Sequence, residues 1–388
     1  MRKLIAFAVL ALAGAATFGA TPPPGAAEVA AQPPGWRATL ERIAPSVVTI
    51  RVDAPRAFDT NGNMSTQATG FVVDAARGLI LTNRHVVTAG PVVAEAVFLN
   101  HEVVELTAVY RDPVHDFGVY RYDPAQLRHI SPESLPLAPE GAEAGREIRV
   151  VGNDAGEQIS ILAGTLARLD REAPNYGRGQ YNDFNTFYIQ AASGTSGGSS
   201  GSPVIDINGR VVALNAGANT QAASSFFLPL GRVTRALEHI ARGEEVPRGT
   251  LLSTFVHVPY DELRRLGLDA AAEARYRALF PGQKGLLVVR DIIAGAPAEG
   301  ALEPGDILLE LEGEPLSTFD ALAETLDGNV GEVVALAIRR GMTDIPLRVE
   351  VSDLHAVTPA SFLQIGDAVL HDLSYQQARH LNMPLEGV

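Results

Sequence analysis

A long series of short β-branched segments constrains the fold of this chain more than any other feature. From Val47 to Pro229 these segments are rich in Val and Ile, and Gly, Asn and Asp separate them. Many short strands at such spacing are typical of an all-β barrel or sandwich. A helical stripe of apolar residues follows from Leu230 to Arg242. The sequence therefore predicts a mainly β domain over residues 36–243, which begins with a short amphipathic helix from Trp36 to Ile43.

The pattern changes after a charged, proline-containing segment that we expect to be a linker. Strand-like and helix-like stretches alternate from Thr250 to Arg339, which indicates a smaller domain of mixed α and β structure over residues 247–354. The order of segments in residues 255–266 recurs weakly in residues 368–382. We therefore expect an incomplete third module over residues 355–388.

The first residues have the order of a secretory signal. Arg2 and Lys3 precede an apolar run, and small residues follow it. The run holds about a dozen residues, fewer than the ~20 that cross a bilayer, so a retained membrane anchor is the weaker alternative. We predict a signal peptide over residues 1–20, a Pro/Ala-rich linker over residues 21–35, and a periplasmic or secreted protein with no stable membrane span after cleavage.

Composition excludes several classes of function. Asp and Glu number 45 against 31 Lys and Arg, and a net charge of −14 repels nucleic acid. The chain has no cysteine, which excludes disulfide scaffolds, thiolate zinc sites and a cysteine nucleophile. Asp206–Gly209 has too few oxygens for a calcium loop and predicts a hairpin turn. We expect neither a metal nor another cofactor.

A glycine-rich segment, Ser196–Ile205, runs directly into an apolar strand. A flexible linker is the simplest alternative, but linkers do not lie between two strands of one domain. Glycine tolerates the unusual backbone angles that would point the N–H groups of Gly198 and Ser200 into one pocket, as in an oxyanion hole. Ser200 has glycine two residues before it and immediately after it. The other candidate serines flank the turn: Ser196, Ser199 and Ser202.

A serine nucleophile needs a base and a group that orients the base. His85 ends an apolar strand, and Asp116 precedes the next strand-like segment. The chain order His, Asp, Ser is that of the chymotrypsin architecture and differs from subtilisin and the α/β-hydrolases. Asp112 is an alternative to Asp116, but the proline after it places it in a turn. The neighbouring His115 would point the opposite way along an extended segment.

Three segments resemble the HtrA/Deg family of trypsin-like serine proteases that carry PDZ domains: Thr82–Val87, Asp112–Asp116 and Gly197–Pro203. Three others are similar to the long fungal nuclear HtrA-like branch of this family: Val151–Gly156, Ile161–Thr165 and Asp372–Arg379. The resemblance implies a chymotrypsin-like double β-barrel over residues 36–243 and an α/β PDZ-like domain over residues 247–354. It also implies that a second PDZ-like repeat starts within residues 355–388.

The resemblance further implies the roles of the candidate residues. His85 would be the general base, Asp116 its orienting group and Ser200 the nucleophile, with the amides of Gly198 and Ser200 as the oxyanion hole. The family implies ATP-independent cleavage of unfolded or damaged proteins, often by homotrimers, and peptide segments as partners of the PDZ-like domain. The alternative function is a peptide-binding chaperone in which the protease domain is latent or inactive.

Two departures from the family pattern carry predictions. Ser199 stands where the family has Asn and digestive proteases have Asp, and it is too short and uncharged to pair with a freed N-terminus. We therefore do not expect activation by insertion of the N-terminus. In Arg248–Leu252, Leu252 replaces the second glycine of the usual peptide-binding loop, which weakens the case for capture of a free C-terminal carboxylate.

The strand after the serine segment predicts the substrate pocket. The residues expected to line it are small or uncharged: Leu214, Asn215, Ala216 and Gly217. Such a lining favours small or medium aliphatic side chains before the cleaved bond.

Overall fold

A computed structural model describes residues 34–88, 90, 92–154, 159–174, 183–195, 197–219 and 224–385. The predicted signal peptide and nearly all of the predicted Pro/Ala-rich linker lie outside these residues. Helix α1 (Pro34–Ile43) begins at Pro34, before the predicted start at Trp36. Proline suits the first helical position because its missing N–H has no partner there in any helix.

Seven antiparallel strands form the first sheet. They are β1 (Val47–Ala54), β2 (Met64–Asp74), β3 (Leu79–Thr82), β4 (Val93–Val97), β5 (Val103–Glu105), β6 (Thr107–Arg111) and β7 (Gly118–Arg121). Their order is β5-β4-β1-β2-β3-β7-β6. Strands β3 and β7 are antiparallel neighbours with Thr82 opposite Gly118, so the chain after β3 and the chain before β7 lie at the same edge of the sheet.

Six further strands close into a barrel in the order β10-β13-β12-β11-β8-β9. They are β8 (Glu147–Gly152), β9 (Ser160–Glu172), β10 (Phe187–Ala192), β11 (Pro203–Ile205), β12 (Val211–Asn219) and β13 (Ser224–Pro229). Helix α2 (Gly231–Arg242) follows. The largest apolar core joins α1 and α2 to both sheets and buries Trp36, Phe71 and Leu214. The prediction of a mainly β, trypsin-like domain is confirmed.

The next part of the chain is a smaller α/β unit. Its elements are β14 (Gly249–Thr250), β15 (Ser253–Pro259), α3 (Tyr260–Leu263), α4 (Ala270–Leu279), β16 (Gly285–Ile292), β17 (Ile307–Leu311), β18 (Glu314–Pro315), α5 (Phe319–Asp327), β19 (Val333–Arg340), β20 (Thr343–Glu350) and β21 (Ser352–Asp353). The main sheet has the order β15-β16-β17-β19-β20, so β15 is an edge strand. The expected linker is not a loose tether, because Val246 and Arg248 are buried where the two units meet.

The C-terminal segment contains a hairpin and one helix. These elements are β22 (Leu363–Ile365), β23 (Ala368–Leu370) and α6 (Tyr375–Leu381). Ser374 and Gln377 form a capping box at the start of α6. The buried Tyr375 ring packs edge to face against the Phe184 ring of the protease unit, with the ring centroids 5.2 Å apart.

Within the described residues, no helix combines the length and apolar character needed to cross a bilayer.

Candidate active site

The serine loop between β10 and β11 is held against the first sheet at Gly201. This residue has φ +81, and a Cβ atom there would lie 2.1 Å from the Thr69 carbonyl oxygen and 2.4 Å from Thr82 Oγ1. Only glycine fits both the backbone angle and the space. The Gly201 N–H donates to the Asn215 carbonyl at 2.9 Å. The loop is therefore fixed between β2 and β3 on one side and β12 on the other.

Replacing Gly201 with alanine is expected to lower the free energy of unfolding by at least about 2 kcal/mol and to disable the loop. The added methyl group would collide with the β2 backbone in a conformation that alanine rarely adopts. Urea unfolding of the full chain measures the loss. Gly197→Ala is the matched control, because no atom of the described residues lies within 4 Å of a Cβ atom there. Equal stability of the two variants would contradict this account of the loop.

Ser200 sits beside the strand that leads to His85. The Thr69 N–H donates to the Ser200 carbonyl at 2.8 Å, and Thr82 Oγ1 donates to the Thr69 carbonyl at 2.7 Å. Thr82 ends β3, and His85 follows three residues later. Both Ser200 and His85 are half-buried. In the part of the chain that the structure describes, no hydrogen bond joins the Ser200 hydroxyl to the His85 ring.

His85 and Asp116 are joined directly. His85 Nδ1 lies 2.9 Å from each carboxylate oxygen of Asp116, and the His85 backbone N–H donates to Oδ1 at 3.1 Å. The side-chain amide of Asn83 donates to the Asp116 carbonyl at 2.8 Å, which fixes the backbone of the carboxylate. Burial alone would lower the pKa of His85, but the charge and hydrogen bond of Asp116 outweigh it and raise that pKa. The arrangement holds an imidazole with Nδ1 paired and Nε2 available.

A second carboxylate supports Asp116 and was missed by the sequence analysis. The Asp116 N–H donates to Asp183 Oδ2 at 3.2 Å, and the Tyr188 hydroxyl donates to the same oxygen at 2.6 Å. Asp183 is buried, and its charge also favours the protonated form of His85. No local motif marks Asp183, because Asp116, the residue that it supports, lies 67 residues earlier in the chain.

The two amides expected to form an oxyanion hole have no hydrogen-bond acceptor among the described residues. Gly198 has φ +94, and its carbonyl accepts from Thr69 Oγ1 at 2.9 Å. No group among the described residues accepts a hydrogen bond from the backbone N–H of Gly198 or Ser200. Two donors of this kind can stabilise an oxyanion that develops beside the serine.

The residues expected to line the pocket differ in their surroundings. Leu214 packs in the core, and the fully buried Asn215 donates its side-chain amide to the Ser199 carbonyl at 2.6 Å. Ala216 is buried and Gly217 is half-buried. Asn215 therefore supports the serine loop, and the pocket assignment stays a prediction.

Among the described residues, no three His, Asp or Glu side chains are grouped as metal ligands would be.

The alternatives near Asp116 have other partners. Asp112 turns its Oδ1 towards the backbone N–H groups of Val114 and His115, at 2.9 and 2.7 Å. His115 is buried between Arg248 and Arg232. Burial, followed by the charge of Arg232, lowers the pKa of His115 to about 3, so its ring is neutral. Asp116, and not Asp112, bonds to the His85 ring.

The edge strand of the α/β unit bonds to the protease unit. Asn185 donates its side-chain amide to the Ser253 carbonyl at 3.0 Å and accepts from the Phe255 N–H at 2.7 Å. These backbone groups of β15 are the kind that pair with an added peptide strand. Leu252, just before β15, is buried with φ +51, a backbone region that favours glycine.

Comparisons with known proteins agree with this architecture. Residues 68–214 match the trypsin-like peptidase domain family, and residues 288–340 match the PDZ domain family. The chain is 53% identical over 360 residues to Protease Do-like 7 of Arabidopsis thaliana, over 90% of this chain and 33% of that protein. It is 51% identical over 359 residues to Pro-apoptotic serine protease nma111 of Aspergillus oryzae, over 92% of this chain and 35% of that protein. The chain is a homologue of HtrA-type serine proteases.

Solved HtrA structures share the fold. The HtrA-type protease AlgW with decapeptide matches with a TM-score of 0.59 at 18% identity, over 82% of this chain and 98% of that chain. The same protease with tripeptide matches with a TM-score of 0.60 at 19% identity, over 82% of this chain and 97% of that chain. This chain spans about a third of the length of the curated relatives above.

The expected periplasmic or secreted location is wrong. The two relatives named above match nine-tenths of this chain, and they are plant and fungal proteases that are not periplasmic or secreted. They also give no support to the predicted signal peptide over residues 1–20, which lies outside the described residues. A charged, apolar and small-residue order at an N-terminus is a pattern of composition, and composition alone does not establish export.

Proposed function

We propose that this chain is an ATP-independent serine endopeptidase of the HtrA type that cleaves unfolded or damaged proteins. The observation that carries the proposal is the pairing of His85 Nδ1 with both oxygens of Asp116, beside the glycine-rich loop of Ser200. The names of the relatives, which include serine proteases, support the same reaction class. We assign the protease domain to residues 36–243, the PDZ-like domain to 247–354 and the start of a second such module to 355–388.

The proposed mechanism uses the same groups in both half-reactions. His85 Nε2 takes the proton of the Ser200 hydroxyl as its oxygen attacks the scissile carbonyl carbon, while Asp116 holds the ring and stabilises the imidazolium. The N–H groups of Gly198 and Ser200 bind the oxyanion of the tetrahedral intermediate. His85 then protonates the leaving amine, and an ester joins the substrate to Ser200. Water repeats the sequence and releases the acid, so no nucleotide is consumed.

The hydrogen bond between Ser200 and His85 forms, in this proposal, when substrate fills the site. Catalytic hydrogen bonds are often long or poorly aligned without substrate and tighten in the substrate complex. Both residues are half-buried. Ser200 bonds to Thr69 of β2, and His85 follows the neighbouring strand β3, whose last residue Thr82 also bonds to Thr69.

Peptide segments are the proposed partners of the PDZ-like domain, and a homotrimer is the proposed assembly. Because Asn185 occupies β15 and Leu252 replaces glycine, we propose no capture of free C-terminal carboxylates in this arrangement.

Digestion of an unfolded protein without nucleotide tests the proposed function. The full chain should cut a reduced, alkylated protein internally and leave its native form intact, and added ATP should not change the rate. Mass spectrometry of the fragments should show cleavage after small or medium aliphatic residues such as Val, Ala or Ile. Predominant cleavage after Arg or Lys would reject the pocket assignment of Ala216 and Gly217. Failure to cut any unfolded protein would reject the endopeptidase.

A peptide-binding chaperone with a latent protease domain is the second candidate. The missing hydrogen bond between Ser200 and His85 among the described residues favours it. A latent protein would suppress aggregation of an unfolded client without producing fragments, and Ser200→Ala would leave that suppression unchanged. Appearance of new peptide termini would exclude latency.

A further inference from the structure

Asp112 is the centre of the loop that carries Asp116. Its Oδ1 accepts from two backbone N–H groups within the loop, and its own N–H donates to the Phe117 carbonyl at 3.1 Å. Its carbonyl accepts from Nε of Arg84 at 2.8 Å. Arg84 directly precedes the proposed base, and Phe117 directly follows the proposed orienting carboxylate. Asp112 therefore ties together the backbone on both sides of the His85–Asp116 pair.

Arg248 neutralises this buried carboxylate. Its Nε lies 2.9 Å from Asp112 Oδ2, and the two residues are 2% and 0% exposed. The Tyr110 hydroxyl donates to the same carboxylate oxygen at 2.9 Å. An unpaired carboxylate at such a site is strongly unfavourable, so the loop keeps its shape only while the guanidinium stays in place.

Arg248 takes its own position from the PDZ-like domain. Its Nη1 donates to both oxygens of Asp327, at 3.1 and 3.0 Å, and Asp327 is the last residue of α5. Asp327 Oδ1 also accepts from the Gly249 N–H at 2.9 Å. The remaining terminal nitrogen of the guanidinium, Nη2, lies 2.8 Å from Nδ1 of the neutral His115. One planar guanidinium thus joins α5 to the loop of the proposed catalytic aspartate.

We propose that Asp112 and Arg248 are positioning residues of the protease, and that Asp327 of the PDZ-like domain holds Arg248 in its working orientation. This inference rests on the function proposed above, because it assigns the pair a role in placing Asp116 against His85. It makes docking of the PDZ-like domain part of the geometry of the active site. It also gives a role to Asp112 and His115, which the sequence suggested as alternatives for catalysis.

The charges around Arg248 make its orientation depend on Asp327. Asp112 and Asp327 face Arg248 and the buried Arg232, whose Nη1 lies 2.6 Å from His115 Nε2. The negative charge of Asp320, on α5, also attracts the guanidinium of Arg232. Without the charge of Asp327, two arginines would compete for Asp112 in a buried site. We expect Arg248 to turn and the Asp112 loop to shift with it.

Asp327→Asn and Arg248→Lys, made in the full chain, test the proposal. Asparagine keeps an oxygen for the Gly249 N–H but loses the charge, and lysine keeps the charge but cannot reach all three partners. Each variant should lower kcat about tenfold with little change in KM, because a displaced catalytic group acts on the chemical step. The acid limb of kcat/KM should move to lower pH, because a displaced Asp116 no longer raises the pKa of His85.

Asp306→Asn is the matched control in the same domain. Asp306 is buried and accepts two hydrogen bonds from Arg340 at 2.8 Å, and its hydrogen bonds among the described residues all lie within the α/β unit. It should reduce thermal stability while leaving kcat and the acid limb unchanged. A full-length wild-type chain that does not hydrolyse unfolded peptide would overturn the proposed function. Active wild type with unchanged kcat and acid limb in both variants, or with the same losses in Asp306→Asn, would overturn only the positioning role.

Discussion

Replacing Ser200 with alanine is expected to reduce hydrolysis of an unfolded substrate by roughly 10⁴-fold to 10⁶-fold. The substitution removes the oxygen that forms the acyl-enzyme and leaves the base without a proton to take. The fold should not change, because the contact of Ser200 with β2 uses its backbone carbonyl. Initial rates on one peptide and the melting temperature of the full chain measure the two effects.

Ser202→Ala is the matched control for this prediction. Ser202 lies two residues further along the same loop, and its buried hydroxyl has no hydrogen-bond partner among the described residues. Its loss should leave most of the activity. Retention of hydrolysis in Ser200→Ala, or equal inactivation of both variants, would contradict the assignment of the nucleophile.

Asp116→Asn should lower kcat by roughly 10⁴-fold with the fold intact. Asparagine presents an N–H as well as a carbonyl to His85 Nδ1, so it no longer selects the ring with Nε2 unprotonated. The charge of Asp116 raises the pKa of His85, and its removal should lower that pKa. The acid limb of the residual kcat/KM should therefore move to lower pH, even though the plateau falls.

A pH–rate profile of the full chain measures both effects of Asp116→Asn. Asp123→Asn serves as the control, because Asp123 is an exposed cap of a short 3₁₀ turn. It should keep the wild-type plateau and acid limb. An Asp116→Asn variant with wild-type kcat, or with an acid limb moved to higher pH, would contradict the role of this carboxylate.

The serine loop and the position of His85 at the end of a strand could be predicted because their signals are local. Gly201 is required by backbone angle and space within its own loop, and glycine at that place is visible in the sequence. The short β-branched strands around them were likewise predicted from composition and spacing. The double-barrel protease followed by a PDZ domain is what such a pattern implies through its family resemblance.

Elements with weak local patterns were missed. Helix α4 (Ala270–Leu279) buries little more than Glu273 and Tyr276, so it has no apolar stripe to reveal it. Its Asp269 cap, which accepts from the Ala272 N–H at 2.8 Å, is the signal that could have found it. Strand β4 (Val93–Val97) has only five residues, two of them Ala and one Glu, and was too short to stand out.

The supporting groups of the site could not be predicted at all. Asp183, Arg248 and Asp327 act on the loop of Asp116 from separate segments, and only the tertiary fold brings them to it. The sequence offered Asp112 as a competitor of Asp116, whereas the structure makes it the support of the same loop. Residue type and spacing identify the groups that react, but they do not identify the groups that hold them.

Labelling with a fluorophosphonate probe tests most directly whether His85, Asp116 and Ser200 work together. The probe reacts only with a serine whose proton a neighbouring base removes. We expect one label per chain, mapped by mass spectrometry to Ser200, and its loss in His85→Ala. An unlabelled native chain, a label on another serine, or full labelling of Ser200 without His85 would contradict the account.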